Sequence, residues 1–409
     1  RKFIHAKITR QNSEFGLTLV VSLKCEMHQQ QRLVEGAPAA HGFRMPGEHE
    51  MHAKSWLLWP ERLETWRAGC MPAQKAFAEV IRAIAKFEPV NICASAAQYN
   101  AVSQLFAVGS GKDEFTITVV SMESNDSWMR DVGPTFVINN SAASDSDRKS
   151  EVRGIDWEFN AWGGTVDGLY ADWAKDDLVA GQVCALQNLS SYRTQGFVLE
   201  GGSIHVDGEG TCIVTEACLL SAGRNPHLSK PEIEAKLCSY LGVRKCIWLP
   251  NGIHGDETNE HVDNMIHFLR PTQVILAWTD DESDVQWHYS HAALRILENE
   301  RDALGRPFVV TKIHVPSAMH ISEKEHASFG SHTNDSLGKA GDRLPASYCN
   351  CYLVNGGLIV PVVGDAVYDE KALSALRELV PDRMVTPVYT REILLGGGNI
   401  HCITQQQPV

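Results

Sequence analysis

Apolar residues recur at helical spacing from Glu61 to Phe87, which predicts a long amphipathic helix. Downstream the pattern changes to short β-rich runs: Phe115 to Met122, Gly196 to Val206, Thr211 to Thr215, Val274 to Trp278, Phe308 to His314 and Cys351 to Val363. Helical stretches, Pro231 to Leu241, Val285 to Asp302 and Asp369 to Leu379, separate several of them. This alternation predicts an α/β fold. Glycines punctuate the expected strand ends at Gly163-Gly164, Gly201-Gly202, Gly356-Gly357 and Gly396-Gly397-Gly398. Their recurrence is irregular and suggests an internal repeat without defining one. Trp59-Pro60 is expected to end the first strand, with Trp59 in the core. Asn140 to Ser150 reads as a Ser/Asp-rich surface loop. No Pro- or Ser-rich linker interrupts the chain after Arg44, so residues 44–409 are expected to form one domain. Residues 1–43 read as an N-terminal arm, either a leader or a disordered segment. Its basic start and the apolar stretch Phe15 to Leu23 have the layout of a leader, but Lys24-Cys25-Glu26 replaces the small residues of a cleavage site.

Composition narrows the function. The 409 residues carry 37 Lys and Arg against 50 Asp and Glu, a net charge of -13. That balance argues against a general nucleic-acid binder, which needs cations for phosphates. It favours a small cationic substrate. No apolar run is long enough to span a bilayer. Eleven cysteines, odd in number and irregularly spaced, suggest reduced thiols in a reducing compartment. The cytoplasm is expected, with an organelle-targeting leader as the alternative.

The chemistry concentrates in separate polar segments. Asn125-Asp126-Ser127-Trp128-Met129-Arg130-Asp131-Val132-Gly133-Pro134 follows a predicted strand; taken alone it could be a polar turn with a local Arg–Asp pair. Glu200 enters the pair Gly201-Gly202, where the backbone can approach a ligand closely. His254 to Asp263 crowds carboxylates, amides and histidines, and His261 and Asp263 would share a face if the segment were extended. A metal site there is a competitor, although its spacing matches no common ligand pattern. Finally, Cys402 follows Gly396-Gly397-Gly398-Asn399-Ile400-His401. A Cys–His pair supports nucleophilic catalysis on an electrophilic carbon. Clustered carboxylates would oppose a developing oxyanion, but they suit a carbon that is already cationic. A guanidinium is such a group, planar and matched bidentately by carboxylates.

These segments, together with Arg44-Met45-Pro46-Gly47-Glu48, Asp256-Glu257-Thr258 and Gln405-Gln406, resemble the agmatine deiminases of the guanidine-modifying, or pentein, superfamily, and look closest to the plant type. The resemblance covers residues from about Arg44 to Gln407. It implies a single-domain five-bladed α/β-propeller with the site in its central channel. It also implies no metal or organic cofactor, and a homodimer, as is common among similar enzymes. Carried over residue by residue, Cys402 would be the nucleophile and His261 the general acid and base. Asp131 and Asp263 would hold the guanidinium and Glu200 would orient His261. Glu257 would face the cationic chain and Trp128 would wall the pocket. Asp126 receives no role. The resemblance leaves a deiminase for free or peptidyl arginine as an alternative, and a non-catalytic polyamine-binding pentein as another. Cys349 and Cys351 read as core and edge residues on opposite faces of a strand. His314, His320, His326 and His332 read as loop and surface residues.

The nucleophile assignment yields a direct expectation. Cys402→Ser should fold normally and lose activity by orders of magnitude, because an alkoxide is far less accessible than a thiolate. Circular dichroism checks the fold. A rate above about a tenth of wild type would contradict the assignment.

Overall fold

Among the described residues, five sheets repeat one construction. The computed structural model describes residues 6–8, 21–23, 31–107, 115–139, 151–329 and 338–409. In each sheet a short first strand lies antiparallel to a second, and the second lies parallel to a third reached through a helix. In the first blade these strands are Gln405–Pro408, His52–Leu58 and Val90–Ala94, with the helix Met71–Ala85 as crossover. The parallel strand Ile117–Ser121 and the short strands Ala6–Ile8 and Val21–Leu23 widen that sheet. The second blade has Thr135–Asn139, Glu151–Glu158 and Ser190–Val198 around the helix Val179–Leu186. The third has His205–Val206, Thr211–Thr215 and Lys245–Leu249 around Lys230–Leu241. The fourth has Ile266–Arg270, Gln273–Trp278 and Val309–His314 around Val285–Asn299. The fifth has Tyr352–Val354, Gly357–Val362 and Met384–Tyr389 around Ala366–Leu379. This is a five-bladed α/β-propeller. Its ring is shut by Gln405 pairing with Trp56.

The residue pattern explains the layering. Second strands are packed on both faces, so Val274 to Trp278 is continuously apolar and buried. First strands differ, because Thr135, His205, His267, Gln405 and Gln406 are polar and still buried. They line the centre, where the rings of His205 and His267 lie 4.4 Å apart and each lies 5.6 Å from His401.

Several expectations shift on contact with the structure. The first helix begins at Met71, not Glu61, because Gly69 and Cys70 adopt left-handed φ of 67° and 66°. The apolar residues before it serve a loop, whose Trp66 packs edge-on against Phe77 and beside Trp128. The run Gly196 to Val206 breaks into two strands around a 3-10 turn at Gly201–Ser203. Cys351 to Val363 is a hairpin turned at Asn355-Gly356, where Gly356 takes φ 75°. Cys349 and Cys351 are both fully buried in one apolar cluster, in the turn before Tyr352, and do not alternate across a strand. Trp59 is buried as expected, directly after the strand that ends at Leu58. His314 lies on a strand and pairs with Asp280 at 2.7 Å, while His320 is exposed. His332 and the stretch Asn140 to Ser150 lie outside the described residues. The end of the region read as an arm packs on the body: Arg32 and Leu33 pair with Ser190 and Ser191, and Phe43 is buried. Among the described residues no helix is long and apolar enough to cross a membrane.

Candidate active site

The blade architecture delivers the reactive groups. Each first strand is preceded by a tight turn or short helix, and these leads converge on the propeller axis. Asp131 sits in the helix Met129–Val132 before Thr135, and Gly202 in the turn before His205. Asp263 sits in the helix Val262–Met265 before Ile266. Asn350 precedes Tyr352, and Cys402 precedes Gln405. Every lead is thus anchored by the strand that follows it, which makes the site rigid. His261 stands at the start of the Val262–Met265 helix, so it and Asp263 are not neighbours along an extended segment as first expected.

Gly202 lies where these groups meet. A methyl on its α-carbon would fall 2.6 Å from His261 Nδ1, 2.9 Å from Asp131 Oδ1 and 3.1 Å from Asp263 Oδ2. Its N–H donates to Asp131 Oδ1 at 2.8 Å, and Trp162 Nε1 donates to Oδ2 at 3.0 Å. Cys402, 7% exposed, has its sulfur 3.7 Å from Asp263 Oδ2 and receives a hydrogen bond from Asn350 Nδ2 at 3.2 Å. Glu200 accepts from Arg224 Nε at 2.8 Å and lies 3.6 Å from His261 Nε2. Asp263 Oδ1 is buried and has no hydrogen-bond partner. An ionised oxygen left bare in the interior is costly and marks where a donor belongs.

Electrostatics set the resting state. Burial pushes the Cys402 thiol well up, and the carboxylates of Asp263 and Asp131 push it further, so the free site holds a thiol. Burial alone would lower His261, but Asp131, Cys218 and Glu200 outweigh it and raise the imidazole well above its ordinary value. Burial raises Asp131 to about 6, opposed by His261 and reinforced by Asp263 and Glu200. For Asp263, burial is outweighed by the hydrogen bond and charge of His401, which keep it below the ordinary carboxylate range. Glu200 is likewise held low against burial by Arg224 and His261.

Glu257 and Trp128 line one cleft with Arg62, Glu64, Thr65, Asp126, Trp162 and Tyr170. Burial, then the charges of Asp256 and Asp342, raise Glu257 to about 7. Trp128 is fixed between Trp66 and Trp162 and donates to Asp126 at 3.2 Å. Asp126 also accepts from Thr65 and Trp66, so it holds the aromatic wall in place. Arg130 does not pair with Asp131 as a local turn would have it; it reaches Gln406 at 2.8 Å and Glu48 at 3.4 Å. The crowded segment His254 to Asp263 does not gather around one metal, since His254 faces Tyr289. Two other buried groups have metal-like proximity, His205 with His267 and His401, and Glu200 with Cys218 and His261. Arg130 acts on the first and Arg224 on the second, each opposing a second cation. Sequence reasoning missed Asn350, Trp162 and Arg224. The fivefold placement of leads before first strands is the signal that would have found Asn350.

A thiol, an imidazolium and paired carboxylates on the axis of five α/β blades define the pentein class of guanidine-modifying enzymes. The chain belongs to the Porphyromonas-type peptidyl-arginine deiminase family, whose pattern it matches over residues 44–408. It is similar to an agmatine deiminase of Ectopseudomonas mendocina, 50% identical over 91% of this chain and 97% of that one. It is similar also to one of Medicago truncatula, 48% identical over 92% of this chain and 99% of the relative. Among solved structures, the agmatine deiminase of Enterococcus faecalis superposes with a TM-score of 0.85 at 44% identity, covering 93% of this chain and 99% of that one.

The geometry at Gly202 is testable. Gly202→Ala should retain the fold but lose activity at least about tenfold, because the new methyl pushes His261 and both aspartates apart and misplaced reacting groups cost rates of that order. Steady-state turnover alongside a thermal melt measures both effects. Near-wild-type turnover would show that the residues need not converge there.

Proposed function

We propose that the chain hydrolyses the guanidinium of agmatine to N-carbamoylputrescine and ammonia through a covalent amidino intermediate on Cys402. The observation that carries this reading is the bare, buried oxygen of Asp263 beside the Cys402 sulfur, with Asp131 on the other side of Gly202. A guanidinium placed there finds carboxylate acceptors for its N–H groups. Its positive charge also stabilises the thiolate that the empty site disfavours.

The steps follow from the arrangement. When agmatine enters, the Cys402 thiol releases its proton to solvent, and the thiolate adds to the guanidinium carbon while Asp131 and Asp263 hold the nitrogens. His261, a resting imidazolium, gives a proton through the nitrogen on the Asp131 side to the departing ammonia. The amidino group remains on the sulfur. The now neutral His261 takes a proton from water as that water attacks the same carbon. Collapse breaks the C–S bond, restores the thiolate and releases the ureido product. Glu200, fixed by Arg224, keeps His261 oriented and charged. At the entrance, Glu257 supplies a carboxylate for the amine at the far end of the substrate, and Trp128 walls the chain. Residues 44–409 act as one catalytic domain, and a cytoplasmic homodimer is the assembly this reading carries.

A second reading, free arginine as substrate, has Arg62 in its favour, because a cation in the entrance cleft could meet an α-carboxylate. Arg62 is already engaged over the Tyr170 ring at 4.4 Å and beside Glu64 at 3.8 Å. Ammonia release from agmatine, arginine and a blocked arginine peptide, with wild type and Cys402→Ala in parallel, separates the readings. Release from agmatine alone, lost in the variant, is expected. Release from arginine at a comparable rate would favour the second reading. No release from any substrate by folded wild type would leave a polyamine-binding pentein, tested by calorimetry with agmatine.

The pH dependence has a defined sign. Asp131 must be ionised to hold the cation and has been raised to about 6. kcat/KM for agmatine should therefore fall with a one-proton slope as pH drops through about 6. A profile flat from about pH 5 to 7 would contradict the assigned role of Asp131.

A further inference from the structure

Behind the reactive groups lies a buried polar network that the reaction as derived does not use. His401 Nδ1 donates to Asp263 Oδ2 at 2.7 Å, and its Nε2 donates to Glu48 Oε2 at 2.9 Å. Glu48 also accepts the Leu353 N–H at 2.8 Å and lies 3.3 Å from His267 and 3.4 Å from Arg130. All these side chains are almost wholly buried. Glu48 comes from the segment Arg44-Met45-Pro46-Gly47-Glu48, to which no chemistry had been attached.

We propose that Glu48 and His401 form a positioning pair for guanidinium recognition: the imidazolium of His401, clamped between two carboxylates, occupies Asp263 Oδ2 and leaves Oδ1 as the oxygen offered to the substrate cation. This deepens the functional reading above and rests on it. Without His401, Asp263 could turn its carboxylate out of its present position or take up a proton, and either change removes its charge from the pocket. The network is poorly explained as a stability device. Buried ion pairs of good geometry often contribute little relative to well-packed apolar side chains. The placement of the pair is specific: His401 precedes Cys402 in the chain, and its peptide N–H is held by Asn350 Oδ1 at 3.0 Å, the same amide that contacts the sulfur. One lead therefore delivers both the nucleophile and the group that aims its carboxylate neighbour.

The test separates charge recognition from general disruption. Cys402 is alkylated with a cationic haloacetamidine, which resembles the guanidinium, and with neutral iodoacetamide, in wild type, Glu48→Gln and His401→Asn. In both variants the cationic reagent is expected to lose at least about tenfold in rate while the neutral reagent changes less than about threefold. KM for agmatine should rise in parallel. An unchanged ratio of the two rates would overturn the proposal. Equal loss with both reagents would also overturn it, since that outcome means a displaced thiol. Failure of both variants to fold would assign the pair to the core and would overturn it as well. If wild-type Cys402 resists both reagents and wild type does not turn over agmatine, it is the functional reading itself that fails.

Discussion

Glu48, Asp131, Glu200 and Asp263 are carboxylates gathered in one nearly dry region, and their charge must be balanced from within the protein. Arg224 answers Glu200, His261 answers Asp131, and His401 with Arg130 answers Glu48 and Asp263. With those pairings the empty site is close to neutral as long as Cys402 stays a thiol. The substrate cation and the thiolate then form a matched addition, each making the other affordable in a low-dielectric setting. This ties reactivity to occupancy. The thiol becomes a nucleophile when the cation to be attacked is present.

The same balance explains why glycine recurs at the axis. Side chains approach so closely around Gly202 that its N–H serves as a ligand for Asp131 and its missing Cβ is the space in which the aspartates and His261 meet. Gly201 is fixed for a simpler reason: a Cβ there would fall 2.1 Å from the Arg130 carbonyl oxygen. Further out, Gly396 and Gly398 make room for the rings of Trp66 and Trp128. The aromatic wall and the thiol-bearing lead can thus lie against each other.

Much of this was legible in the sequence, and the pattern of what was not is instructive. Thr211–Thr215 and the outer helices could be read because their apolar periods are local. Asp131, Asp263, His261 and Cys402 stood out because their side chains carry chemistry whatever their surroundings. Asn350 was hidden, since an amide between two buried cysteines looks like a turn until the blade geometry places it under the sulfur. Cys349 and Cys351 were misplaced for a different reason: residues two apart share a face within a strand, so opposite faces did not follow, and both precede the strand that begins at Tyr352 and are buried in one cluster. The long helix expected from Glu61 failed where Gly69 and Cys70 turn left-handed, because the apolar residues before them answer to Trp128 and Phe77 across the fold and not to one another.

The ring is shut by Gln405–Pro408 lying against His52–Leu58, a pairing between segments about as distant along the chain as the body allows. Contacts of such sequence separation carry a large loop-closure entropy, which must be met before they contribute. Cys402 rides on the closing segment. During synthesis and folding the four other leads can be in place while the thiol is still in water, remote from His261 and the aspartates. Closing the seam therefore does two things at once: it brings Cys402 to His261 and the aspartates, and it turns a cysteine in water into a buried thiol that stays protonated until the cation arrives.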